Sequence, residues 1–138
     1  MASLQKTAVM GWQDTNLTGT LAVSTTSGGA AREISENVRR ADWTANGEQL
    51  AVVRLINRRS QVEFPIGAVL YETTNIVDSL RVSRQGDVLA LGERAPGPAT
   101  SWFIVFLERG GESKRFDTGF GAGGDQIDLA WSPDGREV

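Results

Sequence analysis

A chain of 138 residues with 40% hydrophobic and 22% charged residues has the size and composition of one globular domain. Its formal net charge of −3 gives no electrostatic reason to expect nucleic acid or an anionic membrane as a partner. Histidine and cysteine are both missing, which excludes disulfides, thiolate chemistry, a Ser-His-Asp triad and the usual zinc, copper and haem ligands.

The first segment, "MASLQKTAVMGW", carries no basic region followed by a long apolar run, so no signal peptide is expected and the protein is read as cytoplasmic. The apolar runs that follow are short, rich in Val, Leu, Ile and Thr, and bounded by turn residues. In chain order they predict strands in "TAVMGWQD", "GTLAVSTT" and "REISENV". Next come "RRADWTANG", "EQLAVVRLIN", "QVEFPI" and "AVLYETT", then "DSLRVSRQG", "DVLALGER", "SWFIVFLE" and "SKRFDTG". The last is "QIDLAWSPDG". The nearest approach to a helix is "AAREISENVRRA", where Ile34 and Val38 sit four apart, but the flanking turn patterns favour a strand plus linker.

Three segments align without a gap: residues 41–53, 80–91 and 129–138. In each, an apolar residue (Trp43, Val82, Trp131) precedes Thr or Ser. A glycine falls four positions after the apolar residue (Gly47, Gly86, Gly135), and another apolar residue three positions later (Leu50, Leu89, Val138). "SPDG" is a turn with a mechanism. Ser can bond the turn backbone, Pro fixes φ, Asp tolerates the third position, and Gly supplies the left-handed conformation. The spacings of 39 and 49 residues, with about four strands in each, match the period of a β-propeller.

The repeat "W-S-P-D-G-x-x-apolar" resembles the six-bladed propellers of the TolB-like type. The wider wording resembles the propeller regions that follow bacterial serine/threonine kinase domains. The resemblance spans residues 12–138 and implies an all-β propeller fold. For function it implies a protein-binding, sensory or accessory role.

Strand counting then predicts three four-stranded blades per chain. Residues 1–38 and 125–138 complete one, 39–76 form the second and 77–124 the third, 46 residues each on average over the 138. A ring needs about four to eight blades, so three cannot close one. Two copies make six, and the expected partner is therefore a second copy of the chain. The closure residues would be Val9, Met10 and Trp12 on one side and Leu129, Trp131 and Val138 on the other. A fragment of a longer propeller, or an engineered or evolutionary propeller piece with no activity beyond folding, explains the same pattern.

Chemistry is sparse. Asp42, Asp78, Asp117, Asp125 and Asp128 fit no calcium loop and read as solvated turn acids. "GFGAGGDQ" precedes a strand rather than a helix, so it reads as a connector and not a phosphate cradle. Trp43 and Trp131 sit beside the repeat turns, where packing between blades explains them better than ligand stacking. Arg40, Asp42, Ser79, Arg81 and Asp128 lie on the predicted innermost strands and could line a central channel, either binding a small ligand or merely solvating it. The expected function is a non-catalytic scaffold for protein interaction, with a small-ligand or metal sensor using the channel as the rival. No cofactor is expected.

Overall fold

The computed structural model of the chain describes residues 2–5, 18–97, 101–121 and 127–138. The described residues form ten strands and no helix. They are β1 (Ala2–Gln5), β2 (Gly19–Val23), β3 (Arg32–Trp43), β4 (Leu50–Ile56), β5 (Arg59–Glu63), β6 (Val69–Thr73), β7 (Ile76–Val82), β8 (Val88–Arg94), β9 (Ser101–Glu108) and β10 (Ser113–Gly121). Two antiparallel sheets result, one in the order β1-β2-β3-β4-β5-β6 and the other in the order β10-β9-β8-β7. The all-β expectation is met, and no helix among the described residues is long and apolar enough to cross a membrane.

The larger sheet is hinged on β3. The sequence predicts two separate strands here, and the structure runs them together over 12 residues. The first part of β3 pairs with β2, from Arg32 against Val23 to Val38 against Gly19. The second part pairs with β4, from Arg40 against Val53 to Trp43 against Leu50. Between them the strand bends. Asn37 takes a left-handed φ of 58°, which Asn tolerates better than most side chains. Register slips between Val38 and Arg40, leaving Arg39 outside the ladder.

The alternation of side chains along a strand explains how β4 can be buried on both sides. Ala51 and Val53 point into a core shared with the second sheet, which includes Val62, Leu80, Leu89, Leu91, Val105 and Leu107. Leu50 and Val52 point the other way, into a smaller core with Leu21 and Val38, against which Ile34, Trp43 and Ile66 pack. Each buried Leu or Val contributes about 1.5–3 kcal/mol over its exposed state. β8 is sandwiched in the same manner. Leu89 and Leu91 enter the shared core, while Gly92 lies under the side chain of Ile127.

β10 ends the second sheet as an edge strand with Phe116 and Phe120 exposed. Phe116 stacks edge-on against Phe106 at 5.8 Å, and Phe106 in turn meets Trp131 at 5.8 Å. The segment predicted as a strand over "QIDLAW" has no ladder partner among the described residues. Residues 127–131 instead lie against β7 and β8, with Leu129 buried.

Candidate functional site: the stacked inner strands

Three segments stand side by side: the second half of β3, the strand β7, and residues 127–131. Each leads into one of the repeated turns, and the three turns are built alike. The glycine amide bonds the Thr or Ser carbonyl in all three: Gly47 to Thr44 at 2.8 Å, Gly86 to Ser83 at 2.9 Å, Gly135 to Ser132 at 2.9 Å. The amides of Thr44, Ser83 and Ser132 in turn reach the carbonyls of Gln49, Val88 and Glu137 at 2.9, 2.8 and 2.8 Å. The glycine φ values are 71°, 74° and 70°, the left-handed region that the sequence pattern requires. The hydroxyls of Thr44, Ser83 and Ser132 accept from the amides of Gln49, Val88 and Glu137 at 3.1, 3.1 and 3.0 Å. A hydroxyl at this position is therefore part of the turn, which accounts for Thr or Ser in every copy.

Contacts between neighbouring segments also recur with the period of the repeat. The Arg40 guanidinium donates to the Asp78 carbonyl, and Ser79 Oγ donates to the Ile127 carbonyl. Arg40, Ser79 and Asp128 occupy equivalent positions relative to the turn. In both bonds, then, a side chain reaches forward to the backbone one position earlier on the next segment. The Asp42 carboxylate accepts from the Val82 amide at 2.8 Å, and Trp131 Nε1 donates to the Arg81 carbonyl at 3.2 Å. These bonds tie segment to segment by side chain to backbone rather than by a β-ladder.

The five channel candidates thus lie on three adjacent segments, and the structure separates their roles. Asp42 and Ser79 spend their polar atoms on neighbouring backbone, and Ser79 is buried. Arg81 and Asp128 are both close enough to Arg40 to act on its charge. Burial lowers the Arg40 pKa from its ordinary value and Arg39 lowers it too, while Asp78 and Asp128 act in the opposite direction and Arg81 adds to the lowering. Arg81 also bonds its own neighbour's carbonyl, Leu80 O, at 2.9 Å. Asp128 is exposed. Among the closure residues, Val9, Met10 and Trp12 fall outside the described residues. Leu129 is buried, Trp131 packs on Phe106, and Val138 is half-buried.

The reading of the acids needs correction at Asp42, a half-buried residue within β3 whose carboxylate holds the Val82 amide, and further at Asp78. Asp78 is not a solvated turn residue. It is 4% exposed and receives Arg39, itself 7% exposed, with Arg94 Nε 3.4 Å from its other oxygen. Asp117 is exposed, and Asp125 lies outside the described residues, as do 122–126 of the glycine loop. Trp102 is buried beneath the Arg94 guanidinium, 5.5 Å from its ring centre.

Sequence reasoning missed Glu93. This carboxylate is fully buried on β8 and collects donors from three side chains: Tyr71 Oη at 2.9 Å, Asn75 Nδ2 at 2.5 Å and Thr73 Oγ1 at 3.5 Å. Arg115 stands 3.8 Å away. The signal was a lone acid ending the apolar run "VLALGER", on a strand whose two faces are both covered. An open groove of about 570 Å³ also went unforeseen. It lies between the first two repeat turns, lined by Asn46, Glu48, Gln49, Arg84, Gln85 and Arg109. Arg84 bonds the Pro133 carbonyl at 3.2 Å and Arg109 bonds the Gln49 side chain, so both cations already have partners. No group of three or more acids that could hold a metal ion occurs among the described residues.

The fold and site define an all-β protein of two antiparallel sheets in which the first repeated turn adjoins the second and the second adjoins the third. No family model, no curated protein and no solved structure matches the chain.

Proposed function

We propose that the chain is a non-catalytic β-propeller scaffold, three blades of a six-bladed ring that a second copy completes, offering a rigid face for protein binding. The observation that carries this reading is the threefold recurrence of one turn geometry at spacings of 39 and 49 residues, joined by side-chain-to-backbone bonds that advance one repeat at a time. Such recurrence is the expectation for radial repetition about an axis. On this reading β3 carries both the outer strand of one blade and the inner strand of the next, and the bend at Asn37 separates the two. β7 to β10 form a complete blade. The strands β4, β5 and β6, with the second half of β3, form another.

Light scattering on a sizing column tests it. The reading expects a species near twice 14.9 kDa. A compact monomer at every concentration would sink it.

The juxtaposition of Arg40, Arg81 and Asp128 favours a second reading, a sensor that takes a small charged ligand at the ring axis. A thermal-shift panel of anionic metabolites and divalent cations separates the two. A shift of several degrees for one compound, abolished by Arg81→Ala, supports the sensor.

A further inference from the structure

The first repeat turn carries the one asparagine in the chain that glycine follows, Asn46 before Gly47. The amide nitrogen after an asparagine can attack the side chain when no Cβ obstructs the approach. A Cβ built on Gly47 would meet no atom of the described residues within 4 Å, and Asn46 is exposed. The other described asparagines, Asn37, Asn57 and Asn75, precede Val38, Arg58 and Ile76.

The turn activates the group to be attacked. Thr44 Oγ1 donates to Asn46 Oδ1 at 2.6 Å, and the Glu48 amide donates to the same oxygen at 3.1 Å. Two donors on that oxygen draw charge from Cγ and would hold the oxyanion of a tetrahedral intermediate. Asn46 Nδ2, the leaving nitrogen, donates to Glu48 Oε2 at 3.1 Å. The nucleophile is restrained instead, because the Gly47 amide donates to the Thr44 carbonyl at 2.8 Å. Reaction therefore waits for this bond to open, in an exposed turn where local opening costs least.

The third turn shows that an aspartate fits. Asp134 holds the equivalent position, and its Oδ1 accepts from Ser132 Oγ at 2.6 Å and from the Arg136 amide at 3.2 Å. The residue two places on differs, being Arg136 in the third turn and Glu48 in the first. An aspartate at 46 would lose the bond from Nδ2 and set two carboxylates together on the groove that Arg84 and Arg109 also line.

We propose that Asn46 is a site of spontaneous modification, released when the first turn opens. Gly47 N bonds to Asn46 Cγ and the Cγ–Nδ2 bond breaks. The amide proton leaves with that nitrogen as ammonia, and a succinimide ring closes. Water then opens the ring. Attack at Cγ gives aspartate, and attack at the main-chain carbonyl gives isoaspartate. Either product adds a negative charge to the turn, and isoaspartate also lengthens its backbone by a carbon.

The test holds the folded protein in mildly alkaline buffer and digests samples with trypsin over time. The peptide 41–54, freed by cleavage after Arg40 and Arg54, should gain the mass of an amide turned to an acid. It should also split into aspartate and isoaspartate forms on chromatography, while peptides holding the other asparagines stay unchanged. Ala45→Pro keeps Asn46 and Gly47, stiffens the turn and should slow conversion about two- to fivefold. A peptide 41–54 that stays intact, or earlier conversion at another asparagine, overturns the site. An unchanged rate in Ala45→Pro overturns its control by turn opening. A second measurement needs no variant. Urea below the unfolding transition should raise conversion in step with amide exchange at Gly47, and conversion that does not follow exchange overturns the same control.

Discussion

Arg39 and Asp78 form a buried ion pair that joins β3 of one sheet to β7 of the other, with Arg39 Nε 2.8 Å from Asp78 Oδ1. Arg39 is the residue that the register slip expels from the β3 ladder, so the bulge is what aims it at the second sheet. Arg94 approaches the other carboxylate oxygen, giving one acid two cations. Removing a single member leaves uncompensated buried charge. Asp78→Ala should cost about 3–5 kcal/mol in urea unfolding, whereas replacing Arg39 and Asp78 together by Met and Leu should cost much less. Equal losses for the single and the double variant would show that the pair does not act as a unit.

Gly92 and Ile127 test whether 127–131 belongs on the second sheet. A Cβ on Gly92 would stand 2.5 Å from Ile127 Cγ2 and 3.0 Å from Ser79 Cβ. Gly92 has no positive φ, so strain in the backbone is not the obstacle. Gly92→Ala should destabilise by about 1–3 kcal/mol through overpacking. Adding Ile127→Ala should return part of that loss, because the crowded methyl is gone. A double variant that is simply the sum of two losses would remove Ile127 from this position.

The turns and most strands were legible because their signals are local. Thr or Ser, two turn residues and Gly specify hydrogen bonds within five residues, and alternation in "LAVVRLI" or "SWFIVFLE" needs no distant partner. What was not legible depends on contacts between repeats. Asp78 and Asp128 look alike in sequence, each beside a strand, yet one is enclosed by Arg39 and Arg94 and the other is exposed. Glu93 is fully buried because Tyr71, Thr73 and Asn75, about 20 residues upstream, converge on it. The continuity of β3 was hidden for a similar reason: the left-handed Asn37 lets one strand serve two partners, and that becomes visible only when β2 and β4 are in place.

Pro133 occupies the second turn position in the third repeat, and Ala45 holds it in the first. Both turns share the same glycine bond and nearly the same glycine φ. Proline at Ala45 should therefore meet no conformational conflict, and it reduces the freedom of the unfolded chain. Ala45→Pro is expected to raise stability by about 0.4–1 kcal/mol, read as a higher thermal midpoint. A lower midpoint would mean that the first turn is not equivalent to the third.

Tyr71 is the only tyrosine in the chain, so its ionisation can be followed directly by absorbance. Burial and the facing Glu93 carboxylate, which accepts its hydroxyl proton, push its pKa up to about 12. The folded value lies above the unfolded one near 10. Tyr71 therefore contributes stability that is fully present below about pH 10 and is lost as pH rises through about 12. The absorbance titration should show a midpoint near 12 in the folded protein and near 10 once it is unfolded in urea. Glu93→Gln should lower the folded midpoint only part of the way, because the burial remains. The stability advantage of wild type over Tyr71→Phe should narrow across the same interval. A folded midpoint near 10 would place Tyr71 in solvent, away from Glu93, and would leave that carboxylate with Asn75 and Thr73 as its side-chain donors.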